Sequence, residues 1–312
     1  MTISVLLNAT AGSVRTATIG SVKKLIGDGF QTRGLDIDVD VVKGNEIADA
    51  AQKIVSSNSH AAGRPPILVV GGGDGTIGSV ASIVAGTDIV LGILPLGTLN
   101  HFAKDLDLPA DLDAAIDVIA AANVRAVDVG EVNGRVFLNN SSVGIYPFLV
   151  AERTAEQRRL GVGKLVASIP ALALTIRALS WQRVTISAEG NRRELRTPCV
   201  FVGNNFYDLA ALGQRGSLSS GELCVYVVKR QSWLGLALLP FKVIFGFTDP
   251  VHDVELFRVP SVEVRTRRER ILVSLDGEAV EAMSPLRYRI RPQALRVLAP
   301  EIASHDGLRS NR

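Results

Sequence analysis

The feature that most constrains the fold is an apolar run that breaks into glycines. Residues 67–70 are Ile-Leu-Val-Val, and the chain continues with Gly71, Gly72, Gly73, Asp74, Gly75 and Thr76. Such a run predicts a buried strand, and residues 77–85 that follow predict a helix. Glycines let a backbone approach an anion closely, and a helix N-terminus offers free N–H groups. The stretch predicts a phosphate-binding loop. Because no lysine follows the glycines, it is not the Gly-x-x-x-x-Gly-Lys-Ser/Thr loop.

A second loop of similar character comes soon after. Residues 89–94 predict another strand, and Gly97, Thr98 and Asn100 follow it. In a parallel sheet both loops would lie at the carboxyl edge, where open α/β sheets bind their ligands.

The two motifs together resemble one family. Gly-Gly-Asp-Gly-Thr followed by Pro-x-Gly-Thr-x-Asn-x-Phe-Ala is similar to the diacylglycerol kinase catalytic domain family, which includes bacterial soluble lipid kinases and sphingosine kinases. The first motif is shared with NAD kinases, and the pair at this spacing is the specific signal. Further matches extend the resemblance over about residues 3–300.

Strands that alternate with helices over the first 125 residues predict a doubly wound, mostly parallel sheet. From residue 126 strand-like runs dominate, with a hairpin turn at Asn133-Gly134 and another at Gly190-Asn191, and they predict a mainly antiparallel β domain. We therefore predict an ATP-binding α/β domain over residues 1–125 and a β-rich lipid-substrate domain over residues 126–312. The resemblance implies that residues 292–300 return to the first domain and that the active site lies in the cleft between the domains.

Composition excludes several classes of protein. The net charge of the 312-residue chain is only +3, which argues against a strongly basic nucleic-acid binder. Two cysteines in apolar runs predict reduced thiols in a cytoplasmic protein, and no signal peptide is evident. Two apolar stretches, 165–176 and 233–247, are shorter than the roughly 20 residues of a membrane span and predict core or interfacial helices. Arginine clusters, including the one at residues 265–270, are compatible with peripheral contact with an anionic membrane.

Phosphoryl transfer needs a cradle for the triphosphate, a magnesium ion and a base near the acceptor hydroxyl. Gly71 to Thr76, with Gly97 and Thr98, form the predicted cradle. The resemblance implies that Asn8 and Asn100 complete it and that the nucleotide is ATP. Asp74 is the candidate for contacting Mg²⁺, directly or through water, because this ion prefers oxygen ligands and retains several waters.

Two carboxylates, Asp276 and Glu278, flank Gly277 after a predicted strand at residues 273–275. A carboxylate beside a bound alcohol can accept its proton during attack on the γ-phosphate. Spacing alone favours a solvated hairpin turn over a catalytic pair. The resemblance implies that Glu278 is the general base. It also implies that Asp276 orients or polarises the reacting groups.

The chain departs from the family pattern at several places. Ala9 replaces the proline that usually follows the first asparagine, and Ser219-Ser220 replace an aspartate that helps to hold a structural magnesium in soluble bacterial relatives. The second change argues against that metal site and against diacylglycerol itself as the acceptor. Asn139 or Asn140 is expected either to line the cleft or to stabilise a turn.

The leading hypothesis is an ATP-dependent kinase of diacylglycerol or a related lipid alcohol, with a role in phospholipid biosynthesis. One alternative is an NAD kinase-like enzyme with a soluble acceptor, and another is a nucleotide-binding protein without catalysis. A dinucleotide-binding oxidoreductase fits less well, because the next predicted strand ends in Pro95 rather than in an acidic residue. The sequence names neither the lipid nor the oligomeric state.

Overall fold

The computed structural model describes residues 3–11, 19–58, 65–144, 181–208, 214–215, 217–228 and 254–301. The chain divides into two compact units. The first comprises residues 1–84, 88–125 and 296–312, and the second comprises residues 85–87 and 126–295.

The first unit alternates strands with helices. Its elements in chain order are β1 (Ile3–Asn8), α1 (Ile19–Thr32), β2 (Ile37–Val42), α2 (Ile47–Asn58), β3 (Ile67–Gly72), α3 (Asp74–Val84), β4 (Val90–Pro95), α4 (His101–Asp105) and α5 (Leu112–Ala121). Asp111 caps α5, because its carboxylate accepts the Ala114 N–H at 3.0 Å.

The second unit consists of strands where it is described. They are β5 (Val124–Val132), β6 (Arg135–Phe137), β7 (Asn140–Gly144), β8 (Gln182–Ala188), β9 (Asn191–Thr197), β10 (Cys199–Asn204), β11 (Tyr207–Asp208), β12 (Gln214–Arg215), β13 (Leu223–Val228), β14 (Val254–Val259), β15 (Ser261–Thr266), β16 (Arg270–Leu275), β17 (Glu278–Met283) and β18 (Leu286–Leu298). The last residues of β18, from Arg296 onward, belong to the first unit.

The sheet of the first unit is parallel. Its order is β2-β1-β3-β4, and the end of β18 continues it beside β4. Leu68, Val69 and Val70 are all 0% exposed, as expected for a parallel strand whose two faces are both covered. Apolar side chains of α1 and α5 pack on one face around Val69.

The second unit is a β-sandwich. One sheet contains β18, β15, β8 and β9, and β5 pairs with β18 and β6. The other has the order β14-β13-β10-β7-β16-β17, and every pair in it is antiparallel. A single apolar core joins inward side chains of both sheets, including Val143, Val273, Val264 and Tyr288. The predicted fold class, a mostly parallel α/β domain followed by a mainly antiparallel β domain, is therefore confirmed.

Two-residue turns fix the hairpins. Asn133-Gly134 and Asp276-Gly277 both have positive φ at both positions, which is the geometry that suits the twist of paired strands. The third such turn is Glu189-Gly190, one residue earlier than the predicted Gly190-Asn191, because Asn191 already pairs with Ala188.

Several predicted boundaries were wrong. Helix α3 begins at Asp74 rather than at residue 77, so the glycine motif itself forms the first helical turn. Predicted strands at 286–290 and 295–298 are one strand, β18, which is interrupted only at Gln293 with a φ of 51°. The predicted helical segments over 146–178 and 233–247 lie outside the described residues. Within the described part of the chain, every helix is too short or too polar to cross a membrane.

Candidate functional site

The glycine loop joins β3 to α3 in the first unit. Gly71 and Gly72 are the last residues of β3, and Asp74 is the first residue of α3. A Cβ atom added at Gly72 would lie 2.6 Å from the Thr76 side chain. The loop can therefore turn this tightly into the helix only with glycine at that position. The first N–H groups of α3 have no intrahelical acceptor, which is the property that makes such a site attract phosphate.

Asn8 ties the end of β1 to this loop. Its amide nitrogen donates to the Thr76 hydroxyl oxygen at 2.7 Å, and its amide oxygen accepts the backbone N–H and the hydroxyl of Thr10. Asn8 and Thr76 are both buried, at 7% and 8% exposed. Asn8 therefore holds the first turn of α3 in place beside the carboxyl end of β1.

Asn100 shapes the second loop in the same unit. Its amide oxygen accepts the Gly97 N–H at 2.9 Å, and its amide nitrogen donates to the Gly97 carbonyl oxygen at 2.8 Å. Asn100 has left-handed backbone angles, with a φ of 50°, and precedes helix α4. Thr98 is exposed at the tip that these bonds close.

The two loops touch through their backbones. A Cβ atom added at Gly73 would lie 3.2 Å from the Gly97 Cα atom, and one added at Gly97 would overlap the Gly73 Cα atom. The Leu96 N–H also donates to the Gly72 carbonyl oxygen at 3.0 Å. The glycines of the two motifs thus form one continuous backbone surface at the carboxyl edge of the parallel sheet.

Asp74 faces the second loop from the start of α3. One of its carboxylate oxygens accepts the backbone N–H of Phe102, in the first turn of α4, at 3.3 Å. The residue is partly exposed. Among the described residues no three His, Cys, Asp or Glu side chains come close enough to hold a metal ion. A magnesium ion at Asp74 would therefore take most of its ligands from phosphate and water, which is how Mg²⁺ commonly binds.

Asp276 has a role that the sequence did not indicate. Its carboxylate accepts three backbone N–H groups, from Leu138 at 2.7 Å, Asn139 at 2.7 Å and Asn140 at 3.0 Å. Its own N–H donates to the Asn140 carbonyl oxygen at 2.9 Å. Asp276 therefore holds the residues between β6 and β7 in place within the second unit. Both of its carboxylate oxygens accept hydrogen bonds from backbone N–H groups.

Glu278 takes no part in these three hydrogen bonds. It begins β17, pairs with Leu275 across the hairpin and is exposed. The structure thus places both predicted carboxylates at one turn of the second unit, with Asp276 held inward and Glu278 open to solvent.

A buried polar network stabilises the loop around Ser219-Ser220, where the chain departs from the family pattern. The sequence analysis did not predict this network. The Asp128 carboxylate is 1% exposed and accepts the N–H groups of Gly221 at 2.7 Å and Gln293 at 2.8 Å. Asn205 accepts the backbone N–H and the hydroxyl of Ser220. Ser220 thus serves as a hydrogen-bonding anchor for its loop. The sequence signal for this network was Asp128, a carboxylate that stands between Val127 and Val129 in β5.

Comparisons with known proteins agree with this architecture. Residues 2–132 match the family model described as the diacylglycerol kinase catalytic domain, and residues 148–299 match the model described as the YegS C-terminal NAD kinase beta sandwich-like domain. The chain is 32% identical over 269 residues to "Probable lipid kinase YegS-like" of Pseudomonas fluorescens, across 81% of this chain and 83% of that relative. It is 30% identical over 301 residues to the protein of the same name from Pseudomonas putida, across 92% and 94% of the two chains.

Solved structures share the fold. A diacylglycerol kinase from Bacillus anthracis superposes with a TM-score of 0.68 at 19% identity and covers 96% of this chain and 97% of its own. Yeast NADH kinase superposes with a TM-score of 0.52 at 13% identity, covering 96% and 83%. The family resemblance drawn from the two glycine motifs is confirmed.

Proposed function

Because this chain belongs to the family of YegS-like lipid kinases, we propose that it transfers the γ-phosphate of ATP to a hydroxyl group of diacylglycerol or a related lipid alcohol. The observation that carries the proposal is the backbone contact between Gly73 and Gly97. Two loops without side chains at their meeting point offer N–H groups and close approach to a polyphosphate.

Within the first unit, each predicted nucleotide-binding residue has a distinct task. The N–H groups at the start of α3 would bind phosphate oxygens, and Gly71 and Gly72 leave room for the tight turn. Asn8 and Asn100 would keep the two loops in this shape through the hydrogen bonds described above. Thr98, exposed beside Gly97, would contact the nucleotide from the second loop.

Asp74 is the proposed contact for Mg²⁺. Its partly exposed carboxylate lies beside the helix N-terminus where the phosphates would bind. When bound, the ion would neutralise charge on the transferred phosphoryl group. Asp74 would hold it directly or through water and would at the same time stay oriented by the Phe102 N–H.

Glu278 is the proposed general base, and Asp276 is the proposed positioning residue. Glu278 is exposed, and no described residue forms a hydrogen bond or ion pair with its carboxylate, so that carboxylate is available to accept the proton of an acceptor hydroxyl. Asp276 fixes the turn that presents Glu278 by binding three backbone N–H groups.

The test is transfer of labelled γ-phosphate from Mg-ATP into the organic phase of a total lipid extract. Wild-type protein is expected to label a lipid. Glu278→Gln is expected to lose at least about 100-fold in turnover, since general bases contribute 10²–10⁴-fold, while retaining ATP binding. Chromatography of the labelled product would identify the acceptor.

The alternatives make different predictions in the same assay. A kinase of a soluble acceptor such as NAD would leave the label in the aqueous phase with turnover still dependent on Glu278. A binding protein without catalysis would bind ATP and show no turnover to lose.

We also propose a cytoplasmic protein that contacts anionic membranes at the turn between β15 and β16. Arg267, Arg268 and Arg270 are exposed there. Each near-surface charge can contribute about 1 kcal/mol of attraction to anionic lipid. Co-sedimentation with vesicles that contain phosphatidylglycerol, compared with purely zwitterionic vesicles, tests this contact. Loss of the difference in an Arg267→Gln/Arg268→Gln variant is the expected result.

A further inference from the structure

One edge of the β-sandwich in the second unit is open between two hairpins. Among the described strands, β17 is the last of its sheet and pairs only with β16, while β6 pairs only with β5. No described ladder therefore joins the β16–β17 hairpin to the β5–β6 hairpin. Residues of both hairpins line a cavity of about 490 Å³, which is within the roughly 300–1,000 Å³ of small-molecule sites. We call this cavity the edge groove.

Hydrogen bonds hold the two hairpins together at both ends of the edge groove. At one end the side-chain nitrogen of Asn133 donates to the Met283 carbonyl oxygen at 2.8 Å. At the other end the Asp276 carboxylate accepts the N–H groups of Leu138 and Asn139, which follow β6. The gap between the hairpins is therefore set by bonds at its two ends.

The floor of the edge groove is apolar. Val132 and Val273, at 2% and 0% exposed, are its most buried residues. Leu275, Val280 and Ala282 also line it and are only half-buried. Contact of these side chains with hydrocarbon would remove apolar surface from water, which is the driving force for binding an aliphatic chain.

The proposed base lies at one end of this floor. Glu278 is opposite Leu275 across the β16–β17 hairpin, so the two side chains share one face of the sheet. Val280 and Ala282 follow Glu278 on that same face at intervals of two residues. At about 3.3 Å per strand residue, Glu278 and Ala282 are about 13 Å apart. A molecule that presents a hydroxyl to Glu278 would therefore extend along the floor towards Ala282.

The opposite end of the edge groove lies at the start of β16. Arg270 is opposite Met283, which is 53% exposed although it is apolar. The charged residues that line the groove, Arg135, Arg270 and Glu281, are exposed and therefore lie at its rim. Arg270 belongs to the turn that we propose to contact anionic membranes. The edge groove thus runs from that turn to the proposed base.

On the premise of the proposed function, we propose that the edge groove binds one hydrocarbon chain of the lipid acceptor. The reacting hydroxyl lies at Glu278, and the chain follows the floor past Ala282 towards Met283. Only a chain that reaches Ala282 covers the whole apolar floor. The edge groove therefore makes the enzyme selective for acceptors with long chains.

The experiment compares dioleoylglycerol with dihexanoylglycerol as acceptors in mixed micelles, using the full chain and Mg-ATP. A hexanoyl chain is too short to pass Ala282, whereas an oleoyl chain extends beyond it. Ala282→Leu fills the far part of the floor. It is expected to raise the KM for dioleoylglycerol about 10-fold or more, since each methylene kept out of an apolar site lowers affinity about 4-fold. The KM values for dihexanoylglycerol and for ATP should stay near wild type.

Ala279→Leu is the matched control. Ala279 lies on the same strand but is opposite Ser274, so it projects from the other face of the sheet. The same added side chain should there leave the ratio of the two lipid KM values at its wild-type level. A general loss of stability would affect both lipids together and would not change this ratio.

The outcomes distinguish this inference from the proposed function. If Ala282→Leu leaves the KM for dioleoylglycerol unchanged, or raises both lipid KM values equally, the edge groove does not bind the chain and the inference fails alone. If neither lipid is phosphorylated, the inference is overturned for these acceptors. The total-extract assay then decides separately whether lipid kinase activity itself is absent.

A second copy of this chain is the other occupant that the experiment must detect. The open edge of β17 offers backbone groups that can pair with a strand of another molecule. Sedimentation velocity measures this directly. A wild-type dimer that becomes a monomer in Ala282→Leu would show that the edge groove is an interface between copies, and it would overturn the inference. An unchanged sedimentation coefficient is the expected result.

Discussion

The side-chain amide of Asn8 donates a hydrogen bond of 2.7 Å to the hydroxyl of Thr76, which lies 68 residues further along the chain. This buried contact joins the first strand of the sheet to the helix that follows the glycine loop. Its position explains why an asparagine at the end of β1 belongs with a threonine at the end of the Gly-Gly-Asp-Gly-Thr motif.

Thr76→Val is expected to destabilise the protein by about 1–3 kcal/mol, because the Asn8 amide would lose a buried acceptor. Loosening of α3 should also raise the KM for ATP. Thr76→Ser, which keeps the hydroxyl, is the matched control and should stay near wild type in both respects. Urea denaturation and steady-state kinetics measure the two effects, and equal stability of the valine and serine variants would show that the bond contributes nothing.

Gly97→Ala is expected to disrupt the contact between the two loops. The new methyl group would overlap the Gly73 Cα atom and lie 2.5 Å from the Asn100 side-chain oxygen. Overpacking of this kind costs about 1–3 kcal/mol, and ATP binding should weaken further because the loop backbone must move. Isothermal titration with ATP and thermal unfolding are the measurements.

Gly27→Ala supplies the control for that variant. Gly27 lies within α1, and an added Cβ atom would meet nothing within 4 Å. Alanine is favoured over glycine in helices by about 1 kcal/mol, so this variant should be as stable as wild type or more so. Weakened ATP binding in Gly27→Ala would mean that the effect at Gly97 is not local.

Asp276→Asn is expected to unfold more readily, whereas Glu278→Gln is not. An asparagine can present only one acceptor oxygen to the three backbone N–H groups that Asp276 binds, and its NH₂ group would face a donor. A loss of about 2–3 kcal/mol in the free energy of unfolding follows for Asp276→Asn. Glu278 is exposed, so its replacement should reduce turnover at unchanged stability. Chemical denaturation of the two variants side by side decides whether the carboxylates have these separate roles.

Tyr288 is expected to make the protein sensitive to alkali. Burial raises the pKa of its phenol above the ordinary value near 10, and the hydrogen bond between its hydroxyl and that of Ser141 offsets this only in part. The neutral phenol is favoured by the fold, so its contribution to stability is complete below pH 10. It declines as the pH rises above 10, where the unfolded chain loses the proton first. Melting temperatures from pH 8 to 11 should fall less steeply in Tyr288→Phe than in wild type, and parallel curves would contradict this.

Much of the fold could be predicted because its signals are local. The alternation of apolar runs with helical periodicity predicted the parallel sheet, and Asn133-Gly134 predicted a hairpin from turn chemistry alone. Weakly apolar strands such as β17 were missed, because glutamates and alanines give a strand no strong pattern. The two predicted strands that join into β18 meet near Gln293, whose N–H donates to the Asp128 carboxylate, 165 residues away in the chain.

The sequence by itself determined the family and the glycine loops, since a glycine motif is a local requirement for space and for free N–H groups. The assignment of Asp276 and Glu278 to one turn also followed from their neighbouring positions. Only the tertiary structure decided that the Asp276 carboxylate accepts hydrogen bonds from the backbone N–H groups of residues 138–140, while the Glu278 side chain is exposed to solvent. It also decided that Ser142 and Ser274 lie opposite each other on neighbouring strands and are both buried. Such relations are set by strand register and burial, which join residues distant in the chain and leave no mark on the sequence around either one.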